Sequence, residues 1–444
     1  MKSIWILCIL VFISAEALAQ DDQIKKEDQE KTEIIKTGWS PVPLPTTSYD
    51  ADQGFKYGAL LSLANYGDGS LHPDYNYLLY IEWSRTTKKT GINQITWDTR
   101  TLIPGIRSYF EVSLLTEQAL DFYGFNGYMA EYDVDVENNI TGEGLSDKFF
   151  YRHSRNLWRI KADFQGNILG NTFRWLAGIG YYGNTIDVVD TSKYEKVSTN
   201  SLYTNYINWG IISPDQANGG RHTLLKGGLI YDTRDNESNP YRGIWTEMQL
   251  HYAPSILSNR DYGYGRLIFT HRQYFTIIPD WINVAGRISY QGKIFGEMPF
   301  YMLPYLFNTA PQLTNDGVGG SKTVRGIMRN RIVGEGVGYG NLEIRGKILK
   351  TNLFKQDFYI ALSSFVDAGM VLQKYHLPEN LLTDHPDAAP YFNMNAKEVP
   401  HVGYGAGIHF AINQNQIVTV NTAWAVKEED GIGMNLYINL SFLY

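Results

Sequence analysis

Cysteine is almost absent from this chain: only Cys8 carries a thiol among 444 residues. It lies inside an apolar N-terminal run, so the rest of the chain can form no disulfide, thiolate metal site or thiol nucleophile. Long hydrophobic runs are missing too. No later stretch approaches the roughly 18 consecutive apolar residues of a transmembrane helix, which excludes a helical membrane protein. A formal net charge of −7, with no basic stripe, argues against nucleic-acid binding.

Signatures of catalysis are equally scarce. The sequence contains no His-Glu-x-x-His, no Gly-x-Ser-x-Gly and no Walker loop, and its nine histidines show no metal-ligand spacing. The glycine-rich stretch 334–340 precedes a predicted strand, whereas a phosphate-binding loop precedes a helix. We therefore expect no enzyme activity, no catalytic residue, no metal and no cofactor. An outer-membrane phospholipase or protease, with a Ser/His or Asp/His set assembled across strands, is the enzymatic alternative.

The N-terminus has the pattern of an export signal. A lysine precedes an uncharged apolar run, and a small-x-small cleavage sequence ends at Ala19, so residues 1–19 are predicted to be a signal peptide. Residues 20–40 are rich in charge and are predicted to form a short periplasmic tail. We assign residues 41–444 to a single domain.

Aromatic residues and glycine are abundant, with 32 Tyr, 20 Phe, 10 Trp and 42 Gly. Apolar and polar residues also alternate in segment after segment, which is typical of strands with two different faces. An apolar outer face with aromatic girdles and a polar lumen has this composition. We therefore predict an all-β fold, a 16-stranded antiparallel transmembrane β-barrel that closes because lipid cannot hydrogen-bond an open sheet edge. A large soluble β-sandwich or propeller is the alternative.

The alternation places the sixteen predicted strands at intervals along the whole domain. Their approximate spans are 54–65, 76–87, 92–103, 106–117, 150–164, 169–183, 221–232, 243–254, 261–275, 281–294, 298–308, 336–349, 357–370, 401–412, 416–427 and 432–444. Long connections in outer-membrane barrels are extracellular. We therefore expect the long connections near 118–149, 185–220, 309–335 and 371–400 to be extracellular.

Three motifs carry a resemblance to a known family. They are Tyr-Asp-Thr-Arg-Asp-Asn at 231–236, Gly-Gly-Ser-Lys-Thr-Val-Arg-Gly-Ile at 319–327 with Gly-Asn-Leu-Glu-Ile-Arg at 340–345, and Phe-Val-Asp-Ala-Gly at 365–369. Their order and spacing resemble the barrel domain of the BamA/TamA superfamily, also called the bacterial surface antigen family. The resemblance is firmest from about residue 221 to residue 444. Members carry folded periplasmic POTRA domains, and the short tail predicted here resembles a POTRA-less member.

The first motif marks a strand that ends in a turn. The resemblance makes it a fixed element at the barrel rim, formed by Asp232, Arg234, Asp235, Pro240 and Gly243. An ordinary charged hairpin turn is the alternative interpretation.

The second and third motifs predict a cluster inside the barrel. In the family that the chain resembles, this loop folds into the lumen and its arginine meets acidic residues on the wall. Alternation directs Glu343 and Asp367 inward, and a buried arginine requires such partners. We predict that they meet an anchor consisting of Val324, Arg325, Gly326 and Ile327. Ile327 stands where the family commonly has phenylalanine. The alternative is that all three charges are solvated.

The last predicted strand, 432–444, places Leu440, Phe442 and Tyr444 on one apolar face. It resembles the recognition strand of outer-membrane barrels, which assembly machinery reads by strand addition. A lipid-facing strand without that role has the same pattern.

The resemblance implies that the protein assists insertion or translocation of outer-membrane proteins through a seam between the first predicted strand, 54–65, and the last, 432–444. An accessory structural subunit of a larger outer-membrane complex and a passive channel are the alternatives. Expected partners are outer-membrane lipid, other outer-membrane or periplasmic proteins and a barrel-assembly complex, with no nucleic acid. The expected location is the outer membrane of a Gram-negative bacterium, after Sec export.

Overall fold

The computed structural model describes residues 36–440 and 442, except 72–74, 141–143, 193, 238, 259–261, 310–314, 354–355 and 413–415. The predicted signal peptide lies outside the described residues. Sixteen antiparallel strands close into a barrel in which the first described strand lies beside the last. The strands of the wall are β1 (Trp39–Asp50), β2 (Gly54–Asn65), β3 (Tyr77–Thr86), β4 (Thr90–Ile103), β5 (Ile106–Asp121), β6 (Arg152–Leu169), β7 (Phe173–Asp187), β8 (Gly219–Asp232), β9 (Gly243–Ala253), β10 (Tyr264–Ile278), β11 (Ile282–Gly296), β14 (Gly336–Leu353), β15 (Gln356–Gln373), β16 (His401–Ile412), β17 (Gln416–Ala425) and β18 (Asn435–Asn439).

Two short strands, β12 (Tyr305–Leu306) and β13 (Asn315–Asp316), pair with each other and not with the wall. The described helices are also short. They are α1 (Val134–Asn138), α2 (Leu202–Asn208) and α3 (Leu381–Asp384), with 3₁₀ turns at Gly127–Met129, Ser255–Leu257, Phe300–Met302, Pro386–Tyr391 and Glu428–Asp430. Within the described ranges, no helix combines the length and the apolar character that crossing a membrane requires.

Alternation along the strands builds two chemically different faces. On β14, Leu342 and Ile344 are exposed on the outside, whereas Glu343 and Arg345 are almost completely buried on the inside. The outer face is the surface that contacts lipid, and the inner face encloses a polar lumen. The predicted fold class, a 16-stranded antiparallel transmembrane barrel, is confirmed.

The prediction missed one wall strand and assigned another wrongly, so the two errors cancel in the count of sixteen. The first wall strand is β1, at Trp39–Asp50, so the predicted first strand 54–65 is the second. Segment 298–308 is not a wall strand: it contains a 3₁₀ turn and β12, and its apolar residues from Met298 to Leu303 are mostly buried in succession. A wall strand must alternate between lipid and lumen, whereas this segment buries neighbouring side chains together.

The two ends of the barrel differ in their connections. The turns β4–β5, β6–β7, β10–β11 and β14–β15 lie at one end, and the long connections 122–151, 188–218, 297–335 and 374–400 lie at the other. The end with long connections is the extracellular end. Aromatic side chains from all four long connections pack into one buried cluster. We call this cluster the aromatic cap; its members include Phe122, Tyr151, Tyr206, Trp209, Phe300 and Phe392.

Candidate functional site

Residues 317–333, called here the lumen loop, fold back from the extracellular end into the barrel. Val324 and Ile327 are fully buried, and they pack with Val318 and Ile332 of the same loop. Val337, Tyr339 and Val371 complete this cluster from β14 and β15. The loop is therefore fastened to one part of the wall by apolar packing, and the aliphatic Ile327 supplies part of it.

Arg325 lies at the centre of a buried charged cluster. Its Nε donates to Asp367 Oδ2 at 2.7 Å, its Nη2 donates to Asp367 Oδ1 at 3.1 Å, and its Nη1 donates to Glu343 Oε2 at 2.7 Å. The guanidinium also lies over the ring of Phe365, 3.3 Å from the centroid. A planar guanidinium suits this arrangement because it can serve two carboxylates and stack on a ring at once. The structure thus brings Arg325, Glu343 and Asp367 together.

Gly326 allows the loop to approach the wall this closely. Its φ of +90° lies in the region that favours glycine, and a Cβ here would meet the Trp424 carbonyl oxygen at 2.6 Å. Gly326 N donates to the Tyr437 hydroxyl at 3.3 Å, and Asn435 Nδ2 donates to the Gly326 carbonyl at 3.3 Å. The backbone of the loop therefore lies against β17 and β18.

The seam between β1 and β18 is the shortest pairing in the wall. Among the described residues, the two strands pair only at Tyr49 with Ile438 and at Asp50 with Tyr437. By contrast, β1 pairs with β2 along its whole length, from Trp39 opposite Asn65 to Asp50 opposite Gly54. The wall is thus held by few backbone hydrogen bonds at this one place.

The lumen loop contacts both sides of the seam from inside. The Ser321 hydroxyl donates to Asp50 at the end of β1, and Lys322 Nζ donates to Asn439 Oδ1 of β18 at 3.0 Å. Burial lowers the pKa of Lys322, and the nearby Asp50 carboxylate opposes this effect. The same loop therefore connects the Arg325 cluster on β14 and β15 with both strands of the seam.

The rim motif forms the β8–β9 turn, at the end of the barrel opposite the aromatic cap. Asp232 accepts from Arg234 Nε at 2.9 Å and Nη2 at 2.7 Å, while Asp235 accepts from the Tyr241 amide at 2.9 Å. Pro240 is buried, and Gly243 has a φ of +103° with no room for a Cβ beside the Thr233 carbonyl oxygen. These contacts give the turn a defined shape.

This turn also reaches across the barrel mouth. Asn239 Nδ2 donates to the Tyr359 hydroxyl of β15 at 2.8 Å, although β15 is several strands away around the wall. Arg234 lies over one side of Trp245 at 3.9 Å from its centroid, and Arg272 lies at 3.8 Å. The rim motif is thus tied to the distant strand β15 and also packs on its own strand β9.

The C-terminal segment departs from its predicted course. β18 ends at Asn439, and the chain bends at Leu440, which is exposed. Phe442 is buried against Arg345, with 3.8 Å between the guanidinium and the ring centroid, so its predicted place on the lipid face was wrong. A guanidinium attracts an aromatic face strongly where water is scarce, which favours the inward position. Tyr444 lies outside the described residues.

A second charged network was not found from the sequence. Arg329 of the lumen loop donates to Glu117 of β5 at 2.6 Å and to Asp316 at 3.2 Å, and Arg155 of β6 binds the same two carboxylates. Burial alone would lower the pKa of Arg329, but Glu117 and Asp316 raise it above its usual value. The alternation of outward and inward side chains along β5 could have placed Glu117 in the lumen. Nothing in the sequence, however, indicates that Glu117 pairs with Arg329.

Comparison with known proteins agrees with this architecture. The Omp85 superfamily domain matches residues 110–442. BamA from Haemophilus ducreyi lacking POTRA domains 1-3 has a similar structure, with a TM-score of 0.56 and 15% identity over 91% of this chain and 70% of that chain. CdiB from Escherichia coli has a TM-score of 0.54 and 9% identity over 91% of this chain and 62% of that chain.

CdiB from Acinetobacter baumannii has a TM-score of 0.50 and 11% identity, over 91% of this chain and 60% of that chain. No curated protein sequence matches the chain. The identities are low, so these structures establish the fold, and the domain match, which covers most of the chain, establishes the family. The resemblance to BamA/TamA barrels is confirmed: the chain belongs to the Omp85 superfamily, whose barrels are outer-membrane proteins of Gram-negative bacteria.

Proposed function

We propose that this protein assists the insertion or translocation of outer-membrane proteins through the seam between β1 and β18. The observation that carries the proposal is the two-residue ladder at that seam. Omp85 barrels such as BamA and CdiB serve protein insertion or secretion, which makes a protein substrate the natural expectation. The first strand of the gate is β1, at Trp39–Asp50, rather than the predicted strand 54–65.

Among the residues that the structure describes, opening at this seam disturbs fewer backbone hydrogen bonds than opening at any other strand pair of the wall. The β14–β15 ladder, for comparison, runs from Gly336 opposite Gln373 to Leu353 opposite Gln356. Backbone groups exposed in hydrocarbon have no water to bind, so an opened edge recruits a strand from another chain. An incoming barrel strand, with its own alternating faces, can supply that partner by strand addition.

The lumen loop acts in this proposal as a brace for the seam. Arg325 holds it to β14 and β15 through Asp367 and Glu343, and from there Ser321 and Lys322 reach the two strands of the gate. A charged anchor is strong when it is bidentate, whereas single hydrogen bonds contribute about 1 kcal/mol each. The brace can therefore release the seam while it stays attached to β14 and β15.

A passive channel is a weaker candidate. The lumen loop and β12–β13 occupy the barrel interior, where Arg155 and Arg329 link the wall to Asp316, and the aromatic cap covers the extracellular end. An accessory role without insertase activity predicts a closed seam that never exchanges partners. The two proposals therefore differ in whether the seam must open.

A reversible lock on the seam tests the proposal. Cysteines at Tyr49 and Ile438, which face each other on the two strands, will be oxidised to a disulfide in purified full-length protein. The protein will be placed in liposomes, and the folding rate of a test outer-membrane barrel will be measured. We expect the unlocked protein to accelerate folding, the locked protein to lose that acceleration, and a reductant to restore it.

A matched lock elsewhere in the wall controls for general stiffening. Ile408 and Val420 are directly opposed on β16 and β17, and a disulfide between them leaves the seam free. This control lock should preserve the acceleration. Equal activity of the Tyr49–Ile438 lock and the open protein would contradict the gate, and no acceleration by the open protein would contradict the insertase function itself.

A further inference from the structure

The lipid-facing side of the wall carries an arginine at the extracellular end of β3. Ser84 and Thr86 are buried on the inner face of this strand, whereas Ile81 and Trp83 are exposed on the outer face. Side chains alternate along a strand, so Arg85 is the last outward residue before the turn to β4. A lipid-facing arginine is costly at the bilayer midplane but is tolerated near the interface. The position of Arg85 therefore places a cation at the level of the lipid headgroups.

The contacts of Arg85 leave part of its guanidinium available to a ligand. Nη1 donates to the carbonyl oxygens of Ser84 at 2.7 Å and Ile92 at 3.5 Å. Nη2 donates to Asn93 Oδ1 at 3.1 Å, and the guanidinium lies 4.8 Å from the ring centroid of Trp83. All of these partners are neutral, and among the described residues no hydrogen bond uses Nε. A guanidinium edge with Nε and one Nη forms a planar fork that fits a phosphate group.

Two lysines extend the positive charge above Arg85. Lys89 belongs to the turn between β3 and β4, and Lys148 belongs to the long connection 122–151. Both are exposed, and both lie over the ring of Tyr194, with Nζ at 4.5 Å from the centroid for Lys89 and at 4.2 Å for Lys148. An aromatic ring attracts an ammonium group and so holds it in place. We call Arg85, Lys89 and Lys148 the outer-leaflet patch.

The acids of the neighbouring connections do not neutralise this patch. Glu137 forms an ion pair with Arg152 at 3.1 Å, and Asp147 accepts a hydrogen bond from a side-chain amide at 3.1 Å. Glu195 is exposed to water. Within the described ranges, the contacts of the three patch cations are with neutral groups and aromatic rings. The patch is therefore a positive surface at the extracellular end of the wall.

We propose that the outer-leaflet patch binds the phosphate groups of a glycolipid in the outer leaflet, with Trp83 against the upper part of its acyl chains. The outer leaflet of a Gram-negative outer membrane is rich in phosphorylated glycolipid, so phosphate is the anion present at this height. Trp83 lies below the cations on the lipid side and is 50% exposed. A tryptophan at the interface packs on acyl chains while headgroups lie above it. A soluble anion would contact the cations but not this ring.

Binding of lipid A to the purified full-length protein tests the patch. Affinity for fluorescently labelled lipid A in detergent will be measured by microscale thermophoresis. We expect R85Q/K89Q/K148Q to bind at least tenfold more weakly than the unchanged protein, because three cations are lost. R85K should lie between R85Q and the unchanged protein, since it keeps the charge but loses the fork. Equal affinity of the triple variant and the unchanged protein would overturn the proposal.

Two further variants separate the patch from folding defects and from general charge effects. K89Q/K148Q changes only exposed side chains, so the barrel keeps its strand contacts, and we expect several-fold weaker binding. Lys350 also lies over an aromatic ring, at 4.6 Å from the centroid of Trp281, but at the periplasmic end. K350Q should therefore leave the affinity unchanged. Unchanged binding by K89Q/K148Q, or an equal loss in K350Q, would contradict the patch.

A set of ligands identifies what the patch recognises. Dephosphorylated lipid A should bind several-fold more weakly than lipid A, and inorganic phosphate should not displace the labelled lipid. Equal binding of the dephosphorylated lipid would show that acyl chains alone are recognised, and displacement by inorganic phosphate would show a site for the free ion. Either result would overturn the proposal. These measurements do not use the seam or a test barrel, so their failure leaves the proposed insertase function untouched.

Discussion

The β14–β15 pair and the β1–β18 pair lie on the same barrel wall but are built differently. The first is a long ladder whose inner face binds Arg325 through two carboxylates. The second is a two-residue ladder whose strands meet the loop through single hydrogen bonds, such as those of Ser321 and Lys322. Charged, bidentate contacts are stronger than single polar contacts. The same loop is therefore fixed firmly at one end and held lightly at the other, which suits a brace that must release one side.

The largest expected effect comes from removing the firm attachment. R325A removes the guanidinium that binds the buried Asp367, while Glu343 keeps its ion pair with Arg345, and we expect a loss of about 3–5 kcal/mol in the free energy of unfolding. Urea unfolding of the refolded barrel, followed by tryptophan fluorescence, measures the change. R242A removes an exposed arginine of the β8–β9 turn and should change stability by less than about 0.5 kcal/mol. Equal urea midpoints of unfolding for R325A and R242A would show that the Arg325 cluster does not attach the loop firmly to β14 and β15.

A smaller loss is expected where the backbone touches the wall. In G326V the new side chain must adopt a left-handed φ and also displace the carbonyl of Trp424, so we expect a loss above the roughly 1–3 kcal/mol of the φ strain alone. G105V, in the β4–β5 turn, imposes similar strain at a φ of +74° with open space around it. The difference between the two unfolding free energies isolates the close approach. A difference of zero would mean that the loop simply moves away.

The seam contact should have a local effect. S321A removes the hydroxyl that binds Asp50, and a single hydrogen bond contributes about 0.5–1.5 kcal/mol. We expect faster hydrogen–deuterium exchange in β1 and β18 and unchanged exchange in β14 and β15. S192A, whose hydroxyl binds Asp190 at 2.5 Å in an exposed connection, is the control. Faster exchange in β14 and β15 as well would show that the loop moves as one rigid body.

The smallest effect is expected for Lys322, and it depends on pH. Burial lowers the pKa of Lys322, so the folded protein loses this proton at a lower pH than the unfolded chain does. Stability must then rise with pH up to the ordinary lysine pKa of about 10.4. Relative to K322M, the unchanged protein should gain stability as the pH rises toward about 10. A difference between the two proteins that does not change as the pH rises toward about 10 would contradict the pKa shift.

The sequence predicted the wall well because alternation is a strong local signal. The side chains of Glu343 and Asp367 point inward as their neighbours in sequence require, and fifteen of the predicted strands overlap strands of the wall. The exceptions have physical causes. β1 was missed because three prolines normally argue against a strand, and only a position beside a short-paired seam tolerates them.

Contacts across the lumen were beyond the reach of local patterns. The pairing of Glu117 with Arg329 joins residues that are far apart in the chain. The alternation along β5 predicts only that the side chain of Glu117 faces inward. Phe442 shows a different limit. Its apolar character predicts a position on the lipid face. The guanidinium of Arg345, however, holds the ring inside the barrel, and the alternation of residues along the chain does not show which residues become neighbours across the lumen.

The aromatic cap has a consequence for the cell that carries this barrel. The packed rings lie across the outward-facing end, so in the proposed function a parting of the wall at the seam would not by itself connect the medium with the periplasm. In the proposed function, the outer membrane would then keep its permeability barrier while a client strand is added at the seam.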